Sequence, residues 1–223
     1  MNEPTELGKN PAWLDNKLNL RTFQVNMKNT QRNYFLIIVL LVLLSSCGAP
    51  PHQWHGSPYS NPKEAPEITL FDTQGETFRL SDQKGKVVLL FFGYTYCPDV
   101  CPATVAEMRW VFDRLGENAE RVIFGFVSVD PERDTPDVLE NYLKRHNANF
   151  YGLWGTSEEL EGIKAAYGVY AEKDSEDPEN YLITHTARVF LVDAEGILRT
   201  NYSFGTFPED ILADVEYVLE DQE

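Results

Sequence analysis

The chain has 223 residues, room for one domain with extensions or two small domains. A hydrophobic content of 43% with 13% aromatics excludes wholesale disorder. The formal net charge of −16 excludes a protein that coats nucleic acid, which needs a basic footprint. That charge is uneven. Residues 1–46 hold five basic and three acidic side chains, so the rest carries 14 and 32, or −18. Three cysteines allow at most one intrachain bridge and exclude a disulfide-stapled miniprotein.

Tyr34 to Leu44 is an uncharged apolar run of 11 residues. It is too short to span a bilayer and has the length of a signal-peptide core. Lys28 and Arg32 precede it, and Leu44-Ser45-Ser46-Cys47 closes it. This looks like a bacterial lipobox, which predicts that Cys47 is lipidated and anchors the mature chain to a membrane without spanning it. Residues 1–46 thus read as an N-terminal extension plus a lipoprotein signal peptide. Met27 opens a complete signal peptide, so residues 1–26 read as an artefact of start-site assignment. Gly48 follows Cys47 where an Asp often retains bacterial lipoproteins at the inner membrane. Residues 47–66 contain five prolines and read as the lipidated cysteine and an extended tether. His52 and His55 lie there as HQWH, a pair read as solvated linker with metal ligation as the alternative.

Residues 67–223 are expected to form the globular domain. Ile68–Phe71 and Thr77–Leu80 flank a hairpin signal at Asp72-Thr73-Gln74-Gly75. Val87–Tyr94 is a continuous apolar run, the mark of a strand buried on both faces. Pro102–Leu115 has helical spacing, and Arg121–Asp130 reads as a second buried strand. A helix over Pro136–His146, a short strand at Phe150–Trp154 and a helix over Ser157–Tyr167 capped by Ser157 follow. Thr186–Asp193 and Ile197–Tyr202 form a strand pair, and Pro208–Leu219 closes the chain as an amphipathic helix. This order predicts an α/β, thioredoxin-like three-layer fold with an added N-terminal β-hairpin and an inserted helix.

The chemistry falls where the first buried strand turns into a helix, in FFGYTYCPDVCP. Cys97 and Cys101 stand four residues apart, about one helical turn. A helix N-terminus favours the thiolate, which is both nucleophile and soft-metal ligand. The pair is suited to dithiol exchange or to metal. A thioredoxin uses C-x-x-C, and a peroxiredoxin has Thr and Pro where Tyr94 and Leu90 stand here. Structural zinc usually takes four ligands, and no second cysteine pair exists. Copper as Cu(I) or Cu(II) remains, and with two thiolates it needs only one imidazole. His185 is the candidate, because the loop before a thioredoxin-like strand pair packs against the cysteine turn. The alternative is a ring bonded only to nearby backbone. His146 reads as a solvated helix end. Met108 shares the helical face of Cys101 and reads as core. Asp130 ends a strand near the turn, either orienting the site or forming a turn. Asp134 reads as a helix cap.

FFGYTYCPDVCP, then VDPERDTP at residues 129–136, then Thr184-His185-Thr186, together resemble the Sco/SenC family of copper-binding, thioredoxin-like proteins. The resemblance covers the whole domain in the same order. It implies copper ligation by Cys97, Cys101 and His185, and assistance in cytochrome c oxidase assembly from the extracytoplasmic face of a membrane. Position 184, often acidic in relatives, is Thr here, and Glu172–Asn180 matches a variable loop. The implied function is a lipid-anchored copper chaperone facing the periplasm or exterior, delivering copper to a subunit II-like oxidase component. The competing readings are a thiol–disulfide reductase, with Cys97 and Cys101 as its redox dithiol, and a redox or copper sensor. His185 separates them, since a pure dithiol reductase does not need it.

Overall fold

The computed structural model describes residues 31–35, 52–144, 146, 149–177 and 180–220. Residues 31–35 are an exposed helical segment. Cys47 and most of the apolar run lie outside the described residues. Among the described residues no helix is long and apolar enough to cross a membrane.

The core of the molecule is a six-stranded sheet in the order β1 (Ser57–Glu64), β10 (Ile197–Ser203), β9 (Arg188–Val192), β4 (Val87–Gly93), β5 (Val122–Ser128), β6 (Phe150–Leu153). Within it β4 and β5 are paired in parallel and buried at every position. That burial on both faces explains their unbroken apolar sequences. The helix α1 (Val100–Leu115) links them. Beyond β5 the chain forms α2 (Pro136–Leu143), β6 (Phe150–Leu153) and α3 (Ser157–Tyr167). Strand β9 (Arg188–Val192) runs antiparallel to β4, and β10 (Ile197–Ser203) antiparallel to β9. The last helix, α4 (Pro208–Glu220), packs on α1.

Alternation along β4 sends neighbouring side chains to opposite faces. Phe92 meets Tyr167 of α3 at 5.4 Å between ring centroids. Phe91 meets Phe126 at 5.8 Å on the other face. Phe124, on the Phe126 side of β5, continues through Phe150 to Phe112 of α1. The three layers expected from the sequence are therefore present. The expected hairpin is a separate two-stranded sheet, β2 (Thr69–Phe71) with β3 (Thr77–Arg79).

Five details differ from the sequence reading. Part of the expected tether is strand β1 (Ser57–Glu64), the sheet edge beside β10. Its prolines obscured it, but an edge strand tolerates them, and the register slips between Pro58 and Lys63. Thr156, not Ser157, caps α3, because its hydroxyl accepts from Glu159 N–H while the Glu159 carboxylate reaches back to Thr156 N–H. Thr135, not Asp134, caps α2, with Pro136 in the first turn. Helix α2 ends at Leu143, and His146 is half-buried beside Tyr142 instead of solvated. A second short hairpin, β7 (Ala171–Lys173) with β8 (Ile183–His185), spans the acidic segment.

Candidate metal centre

Cys97 lies in the turn after β4, and Cys101 is the second residue of α1. No side chain caps α1. The Cys101 N–H points to Cys97 Sγ at 3.5 Å, so a sulfur stands where a capping oxygen would. His185 ends β8, 84 residues away in sequence, and its Nε2 is 3.3 Å from Cys101 Sγ. The two sulfurs and Nε2 all lie within 4.8 Å of one another. Among the described residues no other three such side chains bring their ligand atoms so close together. Cys97 is half-exposed and Cys101 fully buried, so the centre opens on the Cys97 side. Both cysteines are free thiols.

The electrostatics assign the protons. Burial pushes the Cys101 thiol far up, with Cys97 and Asp134 adding to the effect, so it stays protonated at neutral pH. Burial pushes His185 down, so its ring is neutral. Its Nδ1 lies 3.3 Å from the Thr186 carbonyl, which can only accept. The proton therefore sits on Nδ1, and Nε2 presents its lone pair to the sulfurs. In this state the Cys101 thiol donates to Nε2. A bound soft ion would take the place of that proton. Two thiolates and one imidazole suit copper in either oxidation state.

The half-turn before the cysteines is held from behind. Gly93 ends β4, and a Cβ there would stand 2.6 Å from the Phe91 ring and 3.1 Å from Cys101 Sγ. Only glycine lets the strand pass this close. Asp134, read from sequence as a cap, binds the turn itself. Its buried carboxylate accepts from Thr95 N–H at 3.2 Å, Thr95 Oγ1–H at 2.6 Å and Ser128 Oγ–H at 2.7 Å. Burial raises its pKa to about 6 against the lowering effect of those bonds.

Asp130 does not reach the cysteines. Its Oδ1 accepts from the Tyr181 hydroxyl at 2.6 Å and its Oδ2 from Arg133 Nε at 2.6 Å. The Arg133 guanidinium stacks on the Tyr181 ring at 3.4 Å and donates to the Tyr181 carbonyl. Ile183 N–H in turn donates to the Tyr94 hydroxyl. These contacts fix the strand that carries His185. Arg133, Tyr181 and Tyr94 escaped the sequence reading. The only sequence signal was a basic residue between two acids in VDPERDTP. Met108 is buried in the core, as expected. His52 and His55 sit on the buried Asp214 and not in a solvated linker.

The SCO1/SenC family profile matches residues 57–220. A putative copper-binding protein of Stutzerimonas stutzeri is 34% identical over 176 residues, covering 77% of this chain and 86% of its own. Among solved structures, copper-bound ScoI of Bradyrhizobium japonicum is similar with a TM-score of 0.65 and 36% identity, covering 70% of this chain and 99% of that one. Apo Sco1 of Thermus thermophilus is similar with a TM-score of 0.69 and 38% identity, covering 76% and 99%. BsSco, which carries a disulfide switch and is a member of the Sco family of cytochrome c oxidase assembly proteins, is similar with a TM-score of 0.58 and 25% identity, covering 72% and 96%.

Proposed function

Given that the chain belongs to the SCO1/SenC family, we propose that it is a copper chaperone that serves cytochrome c oxidase assembly from the extracytoplasmic face of a membrane. The observation that carries the reading is the convergence of Cys97, Cys101 and His185, with the imidazole lone pair turned toward the sulfurs. The family's copper-bound members and its oxidase-assembly role support the cargo and the destination. The lipobox at Cys47 supports a lipid anchor. Copper is the cargo, and its uptake releases the Cys101 proton. The half-exposed Cys97 is the ligand a recipient thiolate or imidazole can displace first, giving a transient shared-ligand state. The recipient on this reading is a subunit II-like component with a copper site outside the membrane.

The test is copper titration of the reduced full chain beside His185→Ala, since a fragment starting at residue 67 would lack the edge strand β1. The expected result is one ion bound by the cysteine centre, with a thiolate-to-Cu(II) charge-transfer band. In the variant the band disappears or affinity falls at least tenfold. A variant that binds as tightly, with the same band, refutes the assignment. A thiol–disulfide reductase is the second reading. Two free thiols one turn apart at a helix start favour it, and so does the disulfide switch of BsSco. It predicts that His185→Ala leaves dithiol exchange with an oxidised recipient peptide intact.

A further inference from the structure

A second cluster of metal-ligating side chains, its donor atoms less closely gathered than those of the cysteine centre, lies at the start of the folded domain. Asp214 of α4 is fully buried, and its Oδ2 accepts from the Tyr202 hydroxyl at 3.0 Å. Its Oδ1 meets two imidazoles, His52 Nε2 at 2.8 Å and His55 Nδ1 at 2.9 Å. The His55 backbone N–H also donates to Oδ2 at 3.1 Å. The other ring nitrogen of His55 is 3.9 Å from Asp210 Oδ1, one turn earlier on α4. The arrangement is built. His52 stacks on Tyr217 at 3.7 Å and 5°, with Trp54 edge-on at 4.8 Å. Gly56 then lets the chain press onto β10, since a Cβ there would stand 2.6 Å from Thr200 Oγ1 and 2.7 Å from the Asn201 carbonyl.

We propose that His52, His55 and Asp214 form a second metal site, distinct from the cysteine centre, that takes a divalent transition ion such as Zn²⁺ or Cu²⁺. The donor set is two imidazoles and a carboxylate with no sulfur, which selects a borderline divalent ion over Cu(I). Tyr202 orients the carboxylate and Tyr217 the His52 ring, the outer support that metal ligands need. The contacts of 2.8 and 2.9 Å are the proton-bridged form of the cluster. Metal–nitrogen bonds of about 2.0–2.1 Å place tetrahedral ligands roughly 3.3 Å apart. The two rings, with centroids 6.4 Å apart, flank the carboxylate oxygen and must close on a shared ion. His55 supplies that movement, because its side chain is 40% exposed. The same exposure gives the ion and a water ligand their way in, with Asp210 beside them. A bound ion staples residues 52–56 to α4.

The test uses the full chain carrying Cys97→Ser, Cys101→Ser and His185→Ala, which removes the cysteine centre. Zn²⁺ is titrated by equilibrium dialysis with metal quantification. Cu²⁺ is added separately for electron paramagnetic resonance. The expected result is one bound Zn²⁺ per chain, a rise in thermal midpoint with Zn²⁺, and couplings from two nitrogens in the Cu²⁺ spectrum. His52→Gln and His55→Gln keep a donor facing Asp214 but are poor ligands. Each is expected to weaken binding at least tenfold and to remove the thermal rise while the apo fold is kept. Failure of the parent chain to bind stoichiometric Zn²⁺ overturns the proposal. Binding that survives both glutamine variants overturns it as well, since the ion then sits elsewhere.

Discussion

Replacing Asp134 with Asn should change how the stability of the copper-free chain depends on pH. The carboxylate is buried, and its pKa rises from 3.8 to about 6 on folding. Between these values the native state holds a proton that the unfolded chain has lost. Stability therefore falls as pH rises through this window. Protonated Asp134 contributes fully below pH 3.8, and that contribution is gone above about pH 6. A gap of about two pH units corresponds to about 3 kcal/mol. In Asp134→Asn the amide oxygen still accepts from both Thr95 donors. The amide NH₂ faces Ser128 Oγ, which already accepts from Asp130 N–H and accepts again. The fold should survive without the titration. Urea unfolding of the reduced full chain at pH 3.5 and pH 7.5 measures the effect, because the other carboxylates cancel in the difference between the two proteins. The variant should gain about 3 kcal/mol on wild type between those pH values. A difference constant to within about 0.5 kcal/mol would refute the burial argument.

Gly93→Ala should cost about 1–3 kcal/mol in urea unfolding and weaken copper binding, because the new Cβ meets Phe91, Phe126 and Cys101 Sγ at 2.6, 3.0 and 3.1 Å. Tyr181→Phe removes the 2.6 Å bond to buried Asp130 and should cost about 1–3 kcal/mol. It should also loosen the His185 strand, read as a several-fold loss of copper affinity by competition titration. Thr135→Ala deletes the cap of α2 and should cost about 1 kcal/mol without altering copper affinity, which separates Thr135 from its neighbour Asp134.

The two cysteines of the proposed copper site were legible because their signals are local. Two cysteines at the end of a wholly apolar run, followed by helical spacing, place themselves at a strand-to-helix turn. For His185 the order of the elements left a backbone-bonded ring as the alternative, and the choice came from the resemblance that Thr184-His185-Thr186 helps to carry. What failed was long-range or ambiguous. Pro58 and Pro62 read as linker because sequence does not reveal that β1 is an edge strand. Asp134 and Thr135 are both good cap residues, and only the position of Thr95 decides that the acid faces the cysteine turn. Asp214 sits on an amphipathic helix like any surface acid, yet it is buried beneath two histidines 159 and 162 residues away in sequence. Strands β7 and β8 have three residues each, too short to show a period.

The loop between β5 and α2 explains how Cys97, Cys101 and His185, so far apart in sequence, are held close enough to share one ion. Asp134 binds Thr95 and so fixes the turn that delivers Cys97 and Cys101. Four residues earlier, Asp130 binds Tyr181, and Arg133 between them stacks on the same ring and takes its carbonyl. Tyr181 lies four residues before His185. One short loop thus grips the cysteine segment with one acid and the histidine segment with the other. Ser128 ties the two acids together, donating to Asp134 and accepting from Asp130 N–H. None of these bonds is made to the two sulfurs or to His185 Nε2, so none would compete for an ion there. They set the spacing between two otherwise independent segments, and a shift in either grip changes that spacing. Copper affinity should therefore respond to Asp130, Arg133, Asp134 and Tyr181 through the geometry of Cys97, Cys101 and His185.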